Sequence, residues 1–133
     1  MQPDAQFKRV IRLINEDNLA QAEAVCVELL SSEPADINLS ALLGAILLKG
    51  GRLDEAESIL LEVTRTAPTF AKPHQDLAIL YVNRKDYLTA AKYFRLATEI
   101  DPQLSAAFSG LSHVLDRLGD DRAASEARDR YLA

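Results

Sequence analysis

Few residues in this 133-residue chain could do covalent or metal chemistry. There is one cysteine, Cys26, and there are two histidines, His74 and His113. A nucleophilic thiol needs a cationic neighbour or a helix N-terminus to hold its thiolate. Cys26 stands instead inside VCVELL, between Val25 and Val27, and reads as a small buried hydrophobe with no partner for an internal disulfide. The histidines fall far apart and make no cluster at zinc-ligand spacing. No G-x-x-x-x-G-K-[ST] run exists to cradle a phosphate. Asp120 and Asp121 follow Gly119 at a helix start, where carboxylates are favoured by the positive end of the dipole. That accounts for them without a metal. The expectation is a chain that is not an enzyme and carries no metal and no cofactor.

The elements that would hold these residues are helices. Ala and Leu dominate a composition that is 48% apolar and lacks Trp, and both are strong helix formers. A net charge of −5 comes without the basic stripe that nucleic acid requires. The longest apolar run, LSALLGAILL, is about half the ~20 residues of a membrane span. The start, MQPDAQFKRV, lacks the apolar core and cleavage site of a signal peptide. No nucleic acid, no membrane and a cytoplasmic setting are therefore expected, in one domain covering 1–133.

The chain is internally repetitive. Pro34, Pro68 and Pro102 are spaced by 34 residues, and each is a helix stop. Before them come, at matching offsets, Ala22, Cys26 and Leu29; Ala56, Leu60 and Val63; and Ala90, Phe94 and Ala97. Earlier in the later units stand Leu43-Gly44 with Leu47, Leu77-Ala78 with Tyr81, and Leu111-Ser112 with Leu115. Apolar positions fall at helical spacing on both sides of Lys49-Gly50-Gly51-Arg52, so each unit reads as two helices folded back on each other. Gly44 and Ala56 are small where those helices are expected to cross. The spacing predicts helices over about 5–15, 19–31, 37–49, 53–66, 71–83, 87–99, 105–117 and 121–132, with Asp36 and Thr69 as N-caps.

These residues resemble the tetratricopeptide repeat family, whose 34-residue unit carries Leu-Gly, an aromatic, Ala, Phe and Pro at fixed offsets. Unit 71–104 matches best; unit 37–70 keeps Leu43-Gly44; unit 3–36 has Arg9 for the expected Leu; unit 105–133 has Arg128 for the expected Phe. The resemblance implies an all-α, right-handed superhelical solenoid of antiparallel helix pairs, about eight helices in all. It also implies a protein–protein interaction module that takes a peptide or partner protein in a concave groove lined by the first helix of each unit. His74 takes the place of the family's first aromatic and is expected to pack in the core. Residues 22–57 and 70–81 further resemble the N-terminal repeats of bacterial tetratricopeptide-repeat sulfotransferases. That resemblance implies the alternative: a non-catalytic helper or dimerisation domain of a larger enzyme.

Helical phase then assigns the groove. Opposite the core stripe lie Phe7, Ile11, Ile14 and Asn15; then Ala41, Ala45, Leu48 and Lys49; then Lys72, Gln75, Ile79, Val82 and Asn83; then Ser109, His113, Asp116 and Arg117. The mixture of apolar spots and polar ends suits an extended peptide or a helix. On this reading Ile79 and Val82 are apolar for the ligand and not for the fold. The Lys/Asn/Arg clamp with which some family members hold a C-terminal carboxylate is incomplete. Lys72 is well placed, but Leu42 and Asp76 stand where Asn and a cation are needed. A homodimer is also possible if the ends of the array expose apolar edges, at Phe7 and Val10 or at Tyr131 and Leu132.

Overall fold

A computed structural model of the chain describes residues 3–132, and the side-chain surroundings of residues 5–131. Eight α-helices and no strand occur among the described residues. They are α1 (Pro3–Asn15), α2 (Leu19–Ser32), α3 (Ile37–Lys49), α4 (Leu53–Thr66), α5 (Ala71–Asn83), α6 (Tyr87–Ile100), α7 (Ser105–Arg117) and α8 (Asp121–Leu132). Every boundary falls within two residues of the spacing-based expectation.

Each hairpin turns in the same way. Asp17, Gly51, Lys85 and Gly119 follow one another at 34-residue intervals and all have positive φ, at 58°, 78°, 61° and 80°. The next residue in each case donates its N–H to a carbonyl five residues back: Asn18 to Leu13, Arg52 to Leu47, Asp86 to Tyr81 and Asp120 to Leu115. This left-handed closure satisfies carbonyls that a helix end leaves bare. The second helix of a pair ends where Pro forces the preceding residue out of helical geometry, at Glu33, Ala67 and Asp101.

Carboxylates cap the starts of α3, α6 and α8. Asp36 accepts from the Leu39 N–H at 3.1 Å, Asp86 from Thr89 at 3.2 Å and Asp120 from Ala123 at 3.1 Å. The expectation for Thr69 fails. The residue ahead of α5 is Phe70, and it makes no side-chain cap bond. The third helical residue, whose N–H a cap side chain would hold, is Pro73, which has none.

The chain forms two compact units, 1–67 and 68–133, each holding two hairpins. In the first, α3 packs on both α2 and α4. Its core gathers Val10, Leu13, Ala22, Cys26, Leu39 and Ile46, with Phe7, Ile14 and Leu43 partly buried against it. Gly44 meets α4 so closely that a Cβ there would stand 2.6 Å from Cδ2 of Leu60. In the second, α7 packs on α6 and touches α5. Ala78, Ala90, Phe94, Ala97, Leu111, Val114 and Ala124 form its centre. Ala56 and Ala90 are both wholly buried.

Candidate peptide-binding face

The expected binding residues lie on the first helices of the hairpins, and each unit disposes them differently. In the first unit Ile11 and Asn15 on α1 and Lys49 on α3 are exposed; Ala45 is half-buried. Ala41 and Leu48 are buried, so neither offers a free side chain. Phe7 and Ile14 pack against the core of their unit.

In the second unit Lys72, Asn83, His113 and Arg117 are exposed, together with Ser109 and Asp116. The Arg117 guanidinium lies over the Tyr87 ring at 5.9 Å, which fixes its stem and leaves its N–H fork at the surface. Ile79 and Val82 are half-buried and pack against the core of this unit. Their apolar character therefore serves the fold, which corrects the expectation that it served only a ligand. The physical reason is that both pack against a core to which α6, α7 and α8 contribute alongside α5.

Gln75 is buried too, and its Oε1 has no hydrogen-bond partner. Its neighbour His74 behaves as expected of a core residue. It is buried, and its Nε2 lies 3.0 Å from the Pro68 carbonyl, which accepts. Its ring stacks with Tyr93, which in turn stacks with Tyr81.

The incomplete clamp is further weakened. Lys72 Nζ donates to Asp76 Oδ1 at 2.8 Å, so the one well-placed cation already has a carboxylate. The Asp76 side chain is almost fully buried, and burial pushes its carboxyl above the ordinary range although Lys72 pulls it down.

A notch of about 370 Å³ opens on the α7–α8 hairpin, lined by Ser109, Ser112, His113, Asp116, Arg128 and Tyr131. Arg128, at the position where the repeat calls for Phe, donates to Asp116 Oδ2 at 2.9 Å. Ser112 donates to the Ala124 carbonyl at 3.0 Å and ties α7 to α8. Ser112, Arg128 and Tyr131 were not among the expected binding residues. The sequence signal was the replacement of Gly by Ser and of Phe by Arg at two repeat positions. The notch offers hydrogen-bond donors and one ion pair, which suits binding.

Cys26 is wholly buried, donates weakly to the Leu39 carbonyl at 3.2 Å, and is free. Burial, with the Asp36 charge as a lesser cause, pushes its thiol up to about 11. No group of three or more His, Cys, Asp or Glu side chains that could hold a metal occurs among the described residues. No helix among them is long and apolar enough to cross a membrane.

Paired helices of this length and turn, stacked at a 34-residue period, define a class of helical repeat proteins built to present helix faces. The chain belongs to the tetratricopeptide repeat family, whose models match residues 13–80 and 71–104. Human tetratricopeptide repeat protein 7B is 31% identical over 107 residues, which are 80% of this chain and 13% of that protein. The chain thus spans a small part of that relative's length. Among solved structures, the 41-end fragment of MamA from Desulfovibrio magneticus RS-1 has a TM-score of 0.82 at 23% identity, covering 98% of this chain and 74% of its own. A structure from the functional characterisation of Pseudomonas aeruginosa pilF has a TM-score of 0.87 at 18% identity, covering 97% and 59%. Both likenesses are of fold.

Proposed function

We propose that this chain is a non-catalytic docking module that binds a peptide or partner protein through the first helices of its repeats. The observation that carries the reading is the surface of α5 and α7 in the second unit. There the half-buried Ile79 and Val82 adjoin the exposed Asn83, and the neighbouring helix exposes His113 and Arg117. Apolar floor beside donors and acceptors is the composition that peptide grooves use. Lys49 and Asn15 supply similar polar ends in the first unit. A cytoplasmic, bacterial setting belongs to the same proposal. It is supported by the free, buried thiol of Cys26 and by the resemblance to repeats of bacterial proteins.

The test is selection from a displayed random-peptide library on the immobilised chain. Selected peptides are then titrated against the wild type and against Asn83→Ala/Arg117→Ala. We expect the double variant to melt like the wild type and to bind at least about tenfold more weakly, about 1.4 kcal/mol. Undiminished affinity in the variant would overturn the α5–α7 assignment.

A further inference from the structure

On α3 and on α7, three residues lie on the side that packs against the preceding hairpin of the same unit. In α3 they are Leu39, Leu43 and Ile46; in α7 they are Ala107, Leu111 and Val114. All but the partly buried Leu43 are under a tenth exposed. The helices they belong to pack on α2 and α6 respectively.

The same three repeat positions in α1 hold Ala5, Arg9 and Arg12, and all three are exposed. Lys8 stands beside them, exposed, where α3 has Leu42 and α7 has Gly110. None of the three cations forms an ion pair with a described residue. Asp4, four residues before Lys8, and Glu16, just past the end of the helix, are the acidic residues in phase with them, and the Asp4 side chain lies outside the described ones. The edge of α1 is therefore cationic, not the apolar edge expected from Phe7 and Val10. Val10 is wholly buried and Phe7 turns into the core.

We propose that this cationic face of α1 is a second docking surface, and that its occupant is an acidic α-helix of another protein. The helix would lie where a preceding hairpin lies in the other repeats, with carboxylates where those hairpins are apolar. Three exposed cations on one helix face, with no ion-pair partner among the described residues, in a chain of net charge −5, select an acidic partner by charge. The shape of the position selects a helix, because each equivalent face in α3 and α7 is met by helices. An anionic membrane is disfavoured. An interfacial helix needs an apolar face to sink into lipid, and the apolar side of α1, Val10 and Leu13 with Phe7 and Ile14, is committed to the core. The surface is separate from that on α5 and α7, so either assignment can fail alone.

The probe is a stapled, alanine-based helical peptide with glutamates at i, i+3, i+4 and i+7, compared with its glutamine counterpart. Each is titrated by fluorescence anisotropy against the chain, against Arg9→Glu/Arg12→Glu, and against the milder Arg9→Gln/Arg12→Gln. The glutamate peptide is expected to bind the wild type and the glutamine peptide to fail. Both variants should lose about tenfold or more in affinity, as should the wild type at about 1 M salt, where charges are screened beyond about 3 Å. Melting of the glutamine variant should match the wild type, which separates docking from folding. Equal binding by wild type and variants overturns the proposal. So does capture of phosphatidylserine vesicles with no affinity for the peptide. Self-association of the chain that the same substitutions abolish, without peptide binding, overturns it in favour of a second copy.

Discussion

Gly110 on α7 lies flat against the ring of Phe94 on α6, so close that a Cβ at Gly110 would overlap the ring carbons. The contact joins the two hairpins of the second unit and depends on the absence of a side chain. A Gly→Ala change inside a helix ordinarily gains up to about 1 kcal/mol. Here overpacking outweighs it, and Gly110→Ala is expected to cost about 1–3 kcal/mol. Adding Phe94→Leu should recover part of that loss. Thermal melts of the two single variants and the double variant decide; strict additivity would deny the contact.

The hairpin turns predict opposite signs for two substitutions at the same repeat position. Lys85 holds φ 61° with a side chain that disfavours it, whereas Gly51 holds φ 78° freely. Lys85→Gly should stabilise the chain by about 1 kcal/mol, and Gly51→Ala should destabilise it by about 1–2 kcal/mol. Chemical denaturation midpoints measure both. Loss of stability in Lys85→Gly would mean that the lysine side chain contributes more than its backbone costs.

Cys26 should resist alkylation in the native chain and react on unfolding, since its thiol is buried and pushed up to about 11. The folded value lies above that of an unfolded thiol, so the folded state keeps its proton while the unfolded state loses one. Stability should therefore fall as pH rises from about 9 towards 11, by up to about 2–3 kcal/mol. Cys26→Ala should flatten that part of the pH profile. Iodoacetamide labelling followed by mass spectrometry at neutral pH is the direct check.

Asp76 carries a charge into the interior for one exposed partner, Lys72. Its carboxyl is raised on folding, chiefly by burial. The stability it contributes is thus present below the ordinary carboxyl range and lost as pH rises through the raised value. Asp76→Asn should be as stable as the wild type at acid pH and more stable at neutral pH. A destabilised variant at neutral pH would show that the Lys72 pair outweighs burial.

Ile79→Asp is expected to lower the melting temperature, at a cost of about 1–3 kcal/mol, because Ile79 packs on the core of its unit. Arg117→Ala, at an exposed site, should stay within about 0.5 kcal/mol of the wild type. Melts of the pair separate fold from binding surface. An unchanged melt for Ile79→Asp would mean that its side chain serves a ligand and not the fold.

The sequence alone determined the repeat, its period, the eight helices, the burial of Cys26 and His74, and the smallness of Gly44. Each of these follows from local chemistry. Proline and glycine stop helices, apolar residues recur at helical spacing, and a 34-residue period aligns them. Tertiary structure alone decided which outward-phased residues are surface. Helical phase separates a core side from its opposite, but a first helix in a stack has three kinds of neighbour. Leu48 and Gln75 look outward on a helical wheel and are buried; Ile79 and Val82 pack against the core of their unit and are half covered. Gly110 is small for the sake of Phe94, sixteen residues away in the sequence and in the preceding hairpin. Arg9 and Arg128 looked like lapses from a pattern. In place, one belongs to a cationic face and the other reaches Asp116. Contacts between hairpins, unlike helices and turns, depend on residues that no short stretch of sequence contains together.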